Sequence, residues 1–186
     1  LAERVKAGDM PFDVVIASDL RFAGGTASAI AHEIDVLHRL GLHVGLHFVE
    51  APFFRHLTLP VNPALAQRIA EGKVVLLQKG GRYRTRLLLA EHPVVFRVRP
   101  DPAVDLSAAL TVIIMHAVAA TPARDLAYDP VHITANCRRA FQAPVIWAPI
   151  TGLCRASLEP FSRDLDLLYT DIGNIIDVDD WGGPRQ

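Results

Sequence analysis

Residues 12–26 read Phe-Asp-Val-Val-Ile-Ala-Ser-Asp-Leu-Arg-Phe-Ala-Gly-Gly-Thr, and no other stretch limits the possible folds so much. Val14, Val15, Ile16 and Ala17 form a continuous apolar run, which suits a parallel strand covered on both faces. A loop follows, then Gly24 and Gly25. Glycines supply backbone freedom where a chain must turn and let a ligand come close to the main chain. Thr26 or Ser28 is expected to cap the helix that begins there. The N–H groups and dipole at such a helix start favour an anion such as a phosphate. The other reading of the paired glycines is a tight turn with no ligand.

The rest of the chain repeats the strand–helix theme. A first strand is expected over 13–18 and a helix over 26–40, with Ile30, Ile34 and Leu37 on one face and His32, Glu33, His38 and Arg39 mostly on the other. A second strand follows over 43–49. Asn62 and Pro63 open a helix that Gly72 ends. A third strand covers 74–77. Residues 86–90 suit a strand, and 94–98 a strand or an irregular segment. A buried strand over 109–115 ends at His116. A helix over 130–141 leads into a last strand over 144–148. This alternation specifies an α/β fold, a Rossmann-like three-layer domain with a mainly parallel sheet flanked by helices. The expected division is a domain over 1–155 and an acidic tail or linker over 156–186.

Composition narrows the function. The chain has 186 residues, 51% of them hydrophobic, which is enough for one well-packed domain. A net charge of −1 gives no field that marks a nucleic-acid binder. Cys137 and Cys154 stand outside any CxxC pair, which suits reduced thiols in the cytoplasm. No apolar run approaches the roughly 20 residues of a membrane span.

Candidate chemistry is sparse. His116 stands just past a strand, where an imidazole can bind a hydroxyl or move a proton, or can be satisfied by backbone groups. His43 and His47 flank Gly45; with no third ligand type nearby they make a poor metal site and read as structural or interfacial. Arg82, Arg84, Arg86, Arg97 and Arg99 form the densest basic region, suited to an acidic substrate, to the acidic tail, or to a solvated face. Glu50 closes the second strand where a ribose-binding acid would stand, but no G-x-G-x-x-G precedes it. A Gly-x-Ser-x-Gly elbow, a Walker loop and HExxH are all absent.

The run from Val14 to Ser28 resembles the N-terminal half of glycosyltransferases with two facing Rossmann-like domains, the GT-B architecture. Ser28-Ala-Ile-Ala-His-Glu-Ile is similar to the helix that follows the Gly-Gly loop there. Trp147-Ala148-Pro149-Ile150 and Asn174-Ile-Ile-Asp-Val-Asp-Asp-Trp181 are similar to later parts of that domain. The resemblance implies transfer of a sugar from a nucleotide-sugar donor to an acceptor, with no further cofactor and no metal. It implies that Gly24, Gly25 and Thr26 face the donor diphosphate and that His116 is the cleft histidine. The donor's nucleotide would be held by a C-terminal domain, so the chain is expected to be an N-terminal fragment. Two other readings stay open: a nicotinamide-dependent Rossmann protein, and a non-catalytic α/β module that binds a partner through the acidic tail.

Overall fold

The computed structural model describes residues 9–120 and 126–173. Six strands form one sheet, all parallel: β1 (Asp9–Ser18), β2 (Val44–Phe48), β3 (Val75–Leu76), β4 (Arg82–Glu91), β5 (Asp105–Met115) and β6 (Val145–Pro149). Their order is β3-β2-β1-β4-β5-β6. The expected α/β, Rossmann-like architecture is therefore the observed one. The order reverses direction between β1 and β4, and the crevice above that switch point is where open α/β sheets bind ligands.

Among the described residues four α-helices flank the sheet: α1 (Gly25–Arg39), α2 (Pro63–Ala70), α3 (Pro130–Phe141) and α4 (Gly152–Leu158). Alternation along β1 feeds two cores. Val14 and Ile16 pack with Ile30 and Ile34 of α1, Leu46 of β2 and Leu65 of α2. Val15 and Ala17 face the opposite layer, where Ile133, Cys137 and Phe141 of α3 meet Leu88, Ile113 and Trp147. The indole N–H of Trp147 donates to Thr134 Oγ1 at 2.8 Å, so this buried ring leaves no orphan donor. Gly45 is required by packing: a Cβ there would lie 2.8 Å from Leu77 Cδ1 and 2.9 Å from Val15 Cγ2.

Local chemistry sets the helix ends. Asn62 Oδ1 accepts from the Ala64 N–H at 2.9 Å, with Pro63 in the first turn of α2. Asp129 does the same for α3, accepting from Val131 and His132. Gln142 ends α3 with φ 53°, in the left-handed region.

Several expectations need correction. β4 begins at Arg82, not residue 86, because Arg82, Arg84 and Arg86 alternate outward while Thr85 and Leu88 point in. Of the two expectations for residues 94–98, the strand does not form: Pro93–Arg97 is a 3-10 helix. The helix α4, capped by Thr151, was not foreseen and crosses the division expected at residue 155. The tail packs back on the domain as far as residue 173. Trp147 N–H donates to the Asp166 carbonyl, Leu168 N–H to Trp147, and Ile172 N–H to Pro149, which lays the segment along the free edge of β6. Within the described part of the tail, Asp166 pairs with Arg138 and Asp171 with Arg155. The Asn174–Trp181 motif and Asp177, Asp179 and Asp180 lie outside the described residues. No helix among the described residues is long and apolar enough to cross a membrane.

Candidate functional site at the strand switch point

The carboxyl ends of β1, β4 and β5 bring together side chains that are far apart in sequence. Glu91, the last residue of β4, is fully buried. Its Oε2 is hydrogen-bonded to His116 Nε2, just past β5. Glu33, two turns into α1, interacts with the Glu91 carboxyl and feels the charge of His116. Ser18 at the end of β1 donates its hydroxyl to the Glu91 carbonyl at 3.2 Å, tying the two strands at the switch point. The two carboxyls are buried together and hydrogen-bond each other once one of them carries a proton.

Burial governs the protonation of this cluster. It pushes Glu91 up to about 8. Burial first, with the neighbouring Glu91 adding to it, pushes Glu33 up to about 9. It lowers His116, against the opposing pull of Glu33. A low-dielectric site disfavours every charged form, so near neutral pH the carboxyls hold their protons and the imidazole stays uncharged. The protons belong to the coupled group rather than to single residues.

His92 adjoins the cluster. Its φ of 65° is unusual for a residue with a Cβ, and Pro93 follows it. Such strain persists only where surroundings enforce it, and it gathers at functional sites. The His92 ring stacks on Phe22 at 4.8 Å and lies 6.3 Å from His116. Burial, with His116 beside it, lowers His92 to about 4, and its Nδ1 has no partner.

The Gly-Gly loop sits at the same edge of the sheet. Gly24 precedes α1 with φ 78°, which requires glycine, and no side chain caps the helix. This corrects the expectation of a Thr26 or Ser28 cap. The helix begins one residue earlier, so both hydroxyls fall inside its first turns. Ser28 N–H bonds the Gly24 carbonyl at 3.2 Å; the amides of Gly25, Thr26 and Ala27 precede the first intrahelical bond. An added Cβ at Gly24 or Gly25 would meet nothing within 4 Å.

A buried ion pair fixes the loop below these glycines. Asp19 accepts from Arg21 Nε at 2.9 Å and NH2 at 2.7 Å, and from the Ala51 N–H at 2.7 Å. Arg21 NH1 also donates to Glu50 and to the carbonyls of Phe54 and Leu57, each at 3.3 Å. Glu50, the expected ribose-binding acid of a dinucleotide site, therefore holds Arg21.

His116 thus stands in a polar cluster, and Gly24, Gly25 and Thr26 surround an open helix start. Glu33 and Glu91 were missed. Helical periodicity put Glu33 on the outer side of α1 and could not show that the end of β4 lies against it. A signal for Glu91 was present: an acidic residue closing the apolar run Leu87–Ala90, directly before His92-Pro93. His43 and His47 are structural: His43 Nδ1 bonds the Pro11 carbonyl at 2.8 Å, and buried His47 lies edge-on to Phe141. Among the described residues no group of three His, Cys, Asp or Glu side chains is placed to hold a metal.

No family model and no curated protein matches this chain. Among solved structures, an oxidoreductase from Agrobacterium tumefaciens is similar over 90% of this chain and 68% of its own, at 14% identity and a TM-score of 0.28. That likeness is too slight to bear on activity.

Proposed function

We propose that this chain is the N-terminal, acceptor-side domain of a GT-B glycosyltransferase that moves a sugar from a nucleotide-sugar to an acceptor hydroxyl. The observation that carries the reading is the uncapped helix start at Gly24-Gly25, with open space above it, at the same sheet edge as the Glu33–Glu91–His116 cluster. Transfer breaks the bond from the anomeric carbon to the diphosphate and forms one to the acceptor oxygen. The departing diphosphate gains negative charge, which the amides of Gly25, Thr26 and Ala27 and the α1 dipole stabilise. The acceptor hydroxyl must lose a proton. His116 receives it, and Glu91 on Nε2 orients the ring and stabilises the imidazolium once ionised. Because burial holds Glu91 near 8, this base gains strength as pH rises toward that value. A second, donor-binding domain holds the nucleotide. Two unpaired, buried cysteines fit a cytoplasmic setting.

The strand order favours one other reading, a nicotinamide-dependent enzyme, since dinucleotide-binding domains share it. Against it stand the missing glycine fingerprint and the use of Glu50 by Arg21.

Gly25→Val tests the proposal in the intact enzyme. The new side chain enters open space, so the fold tolerates it, but it occupies the approach to the amides. Sugar transfer is expected to fall roughly 100-fold or more, the scale of losing one oxyanion donor, with the melting temperature little changed. Near-normal transfer by a folded variant would remove the loop from the reaction.

A further inference from the structure

Glu33 is a buried carboxyl that the proposed reaction does not use. From α1 it reaches the Glu91 carboxyl at the end of β4, and Glu91 Oε2 meets His116 Nε2 just past β5. Glu91 is therefore the middle member of a chain of three groups, Glu33–Glu91–His116. The Glu91 side chain has no exposed surface and that of His116 is 10% exposed, so the chain has to satisfy itself. Among the described residues, the ionisable groups acting on it are its own members, with His92 beside His116 at 6.3 Å between rings. From β1, the Ser18 hydroxyl bonds the Glu91 carbonyl.

Counting donors and acceptors decides where the protons sit. With all three groups uncharged, the Glu33 hydroxyl donates to Glu91 and the Glu91 hydroxyl donates to Nε2, so the ring proton is on Nδ1. The reverse order would leave the Glu33 hydroxyl without an acceptor, and buried orphan donors are rarer than under-used carbonyl oxygens. When one proton leaves, the charge rests best on Glu91. A carboxylate there accepts two bonds, from the Glu33 hydroxyl and from Nε2–H, whereas an ionised Glu33 would accept one. The proton released to solvent comes from Nδ1, while the Glu91 proton passes to Nε2. We propose that Glu33 is a positioning residue: it donates to Glu91, makes Glu91 the first of the three to ionise, and so moves the His116 ring proton from Nδ1 to Nε2 as pH rises. Burial raises both carboxyls, and the bond from Glu33 pulls Glu91 back, to about 8 against about 9 for Glu33. His92, lowered to about 4 chiefly by burial, stays uncharged through the change. The inference deepens the proposed transfer and rests on it for its use, since a bare ring nitrogen is what a general base needs.

Nitrogen-15 NMR of the protein with labelled histidine reads the tautomer directly, because protonated and bare ring nitrogens resonate far apart. No donor or acceptor is needed. In the wild type, His116 is expected to carry its proton on Nδ1 near neutral pH and on Nε2 at alkaline pH. Glu33→Gln keeps a donor, the side-chain amide, and holds the midpoint of the change close to that of the wild type. Glu33→Leu removes the donor and raises the midpoint by about one pH unit or more, the scale of one hydrogen bond to a charged group. A wild-type ring proton that stays on one nitrogen throughout overturns the inference. So do equal midpoints in the two variants, the result expected of a residue that merely packs. If the leucine variant does not fold, the wild type and the glutamine variant decide, and a glutamine midpoint displaced from the wild type's overturns the inference. A fixed tautomer leaves sugar transfer standing, and a protein that binds no nucleotide-sugar can still show the tautomer change.

Discussion

Replacing Glu33 with glutamine raises the melting temperature at pH 8 by about 5 °C or more and leaves it nearly unchanged at pH 5. Burial, aided by Glu91, holds the native Glu33 carboxyl near 9, whereas in the unfolded chain it titrates near 4.5. Between those values the unfolded state has released a proton that the native state keeps. Stability contributed by this group is therefore full below about 4.5 and falls as pH rises toward about 9. Glutamine mimics the protonated carboxyl at every pH, so the benefit appears only on the alkaline side. Glu91, pushed to about 8, leaves part of the slope in place. His47 and His92, both held near 4 chiefly by burial, act in the opposite sense and cost stability as pH falls from 6.5 toward 4. Melting curves of both proteins across this range are the check. An equal loss at pH 5 and pH 8 would mean that Glu33 carries no buried proton.

Asp19→Ala lowers unfolding free energy by about 3–5 kcal/mol, the cost of leaving the other half of a buried pair uncompensated. Asp19 is fully buried and the Arg21 side chain is 8% exposed. Losing the carboxylate also orphans the Ala51 N–H and frees the loop that carries Phe53 and Phe54 from its tie to β1. Urea denaturation reports the loss as a lower midpoint at similar slope. Adding Arg21→Met recovers much of it, because the uncompensated cation is then gone. Additive losses in the double variant would show that the pair is not the source of the effect.

What could be read from the sequence follows from how local each signal is. The apolar run Val14–Ala17, the glycines after it and the periodicity of α1 are contained in adjacent residues, as are Asp129 and Pro130 at the start of α3. β4 was harder, because its first half carries outward arginines that interrupt the apolar run. The short helix α4 has seven residues and too few turns to show a period. The site was legible only in part. His116 follows from its place after an apolar strand, and Gly24 and Gly25 from theirs before a helix. Glu33 and Glu91 meet only because β4 lies next to β1 across the switch point. That neighbourhood is set by strand order, which no stretch of this sequence spells out.

The proposed function is tested most directly by melting temperature against a panel of nucleotide-sugars, NAD(H) and NADP(H), on a chain extended past Gln186. A ligand bound by the native state raises that temperature by mass action. The glycosyltransferase reading predicts a rise with at least one nucleotide-sugar and none with the nicotinamide cofactors. A strong rise with NAD(H) or NADP(H), and none with nucleotide-sugars, would contradict it.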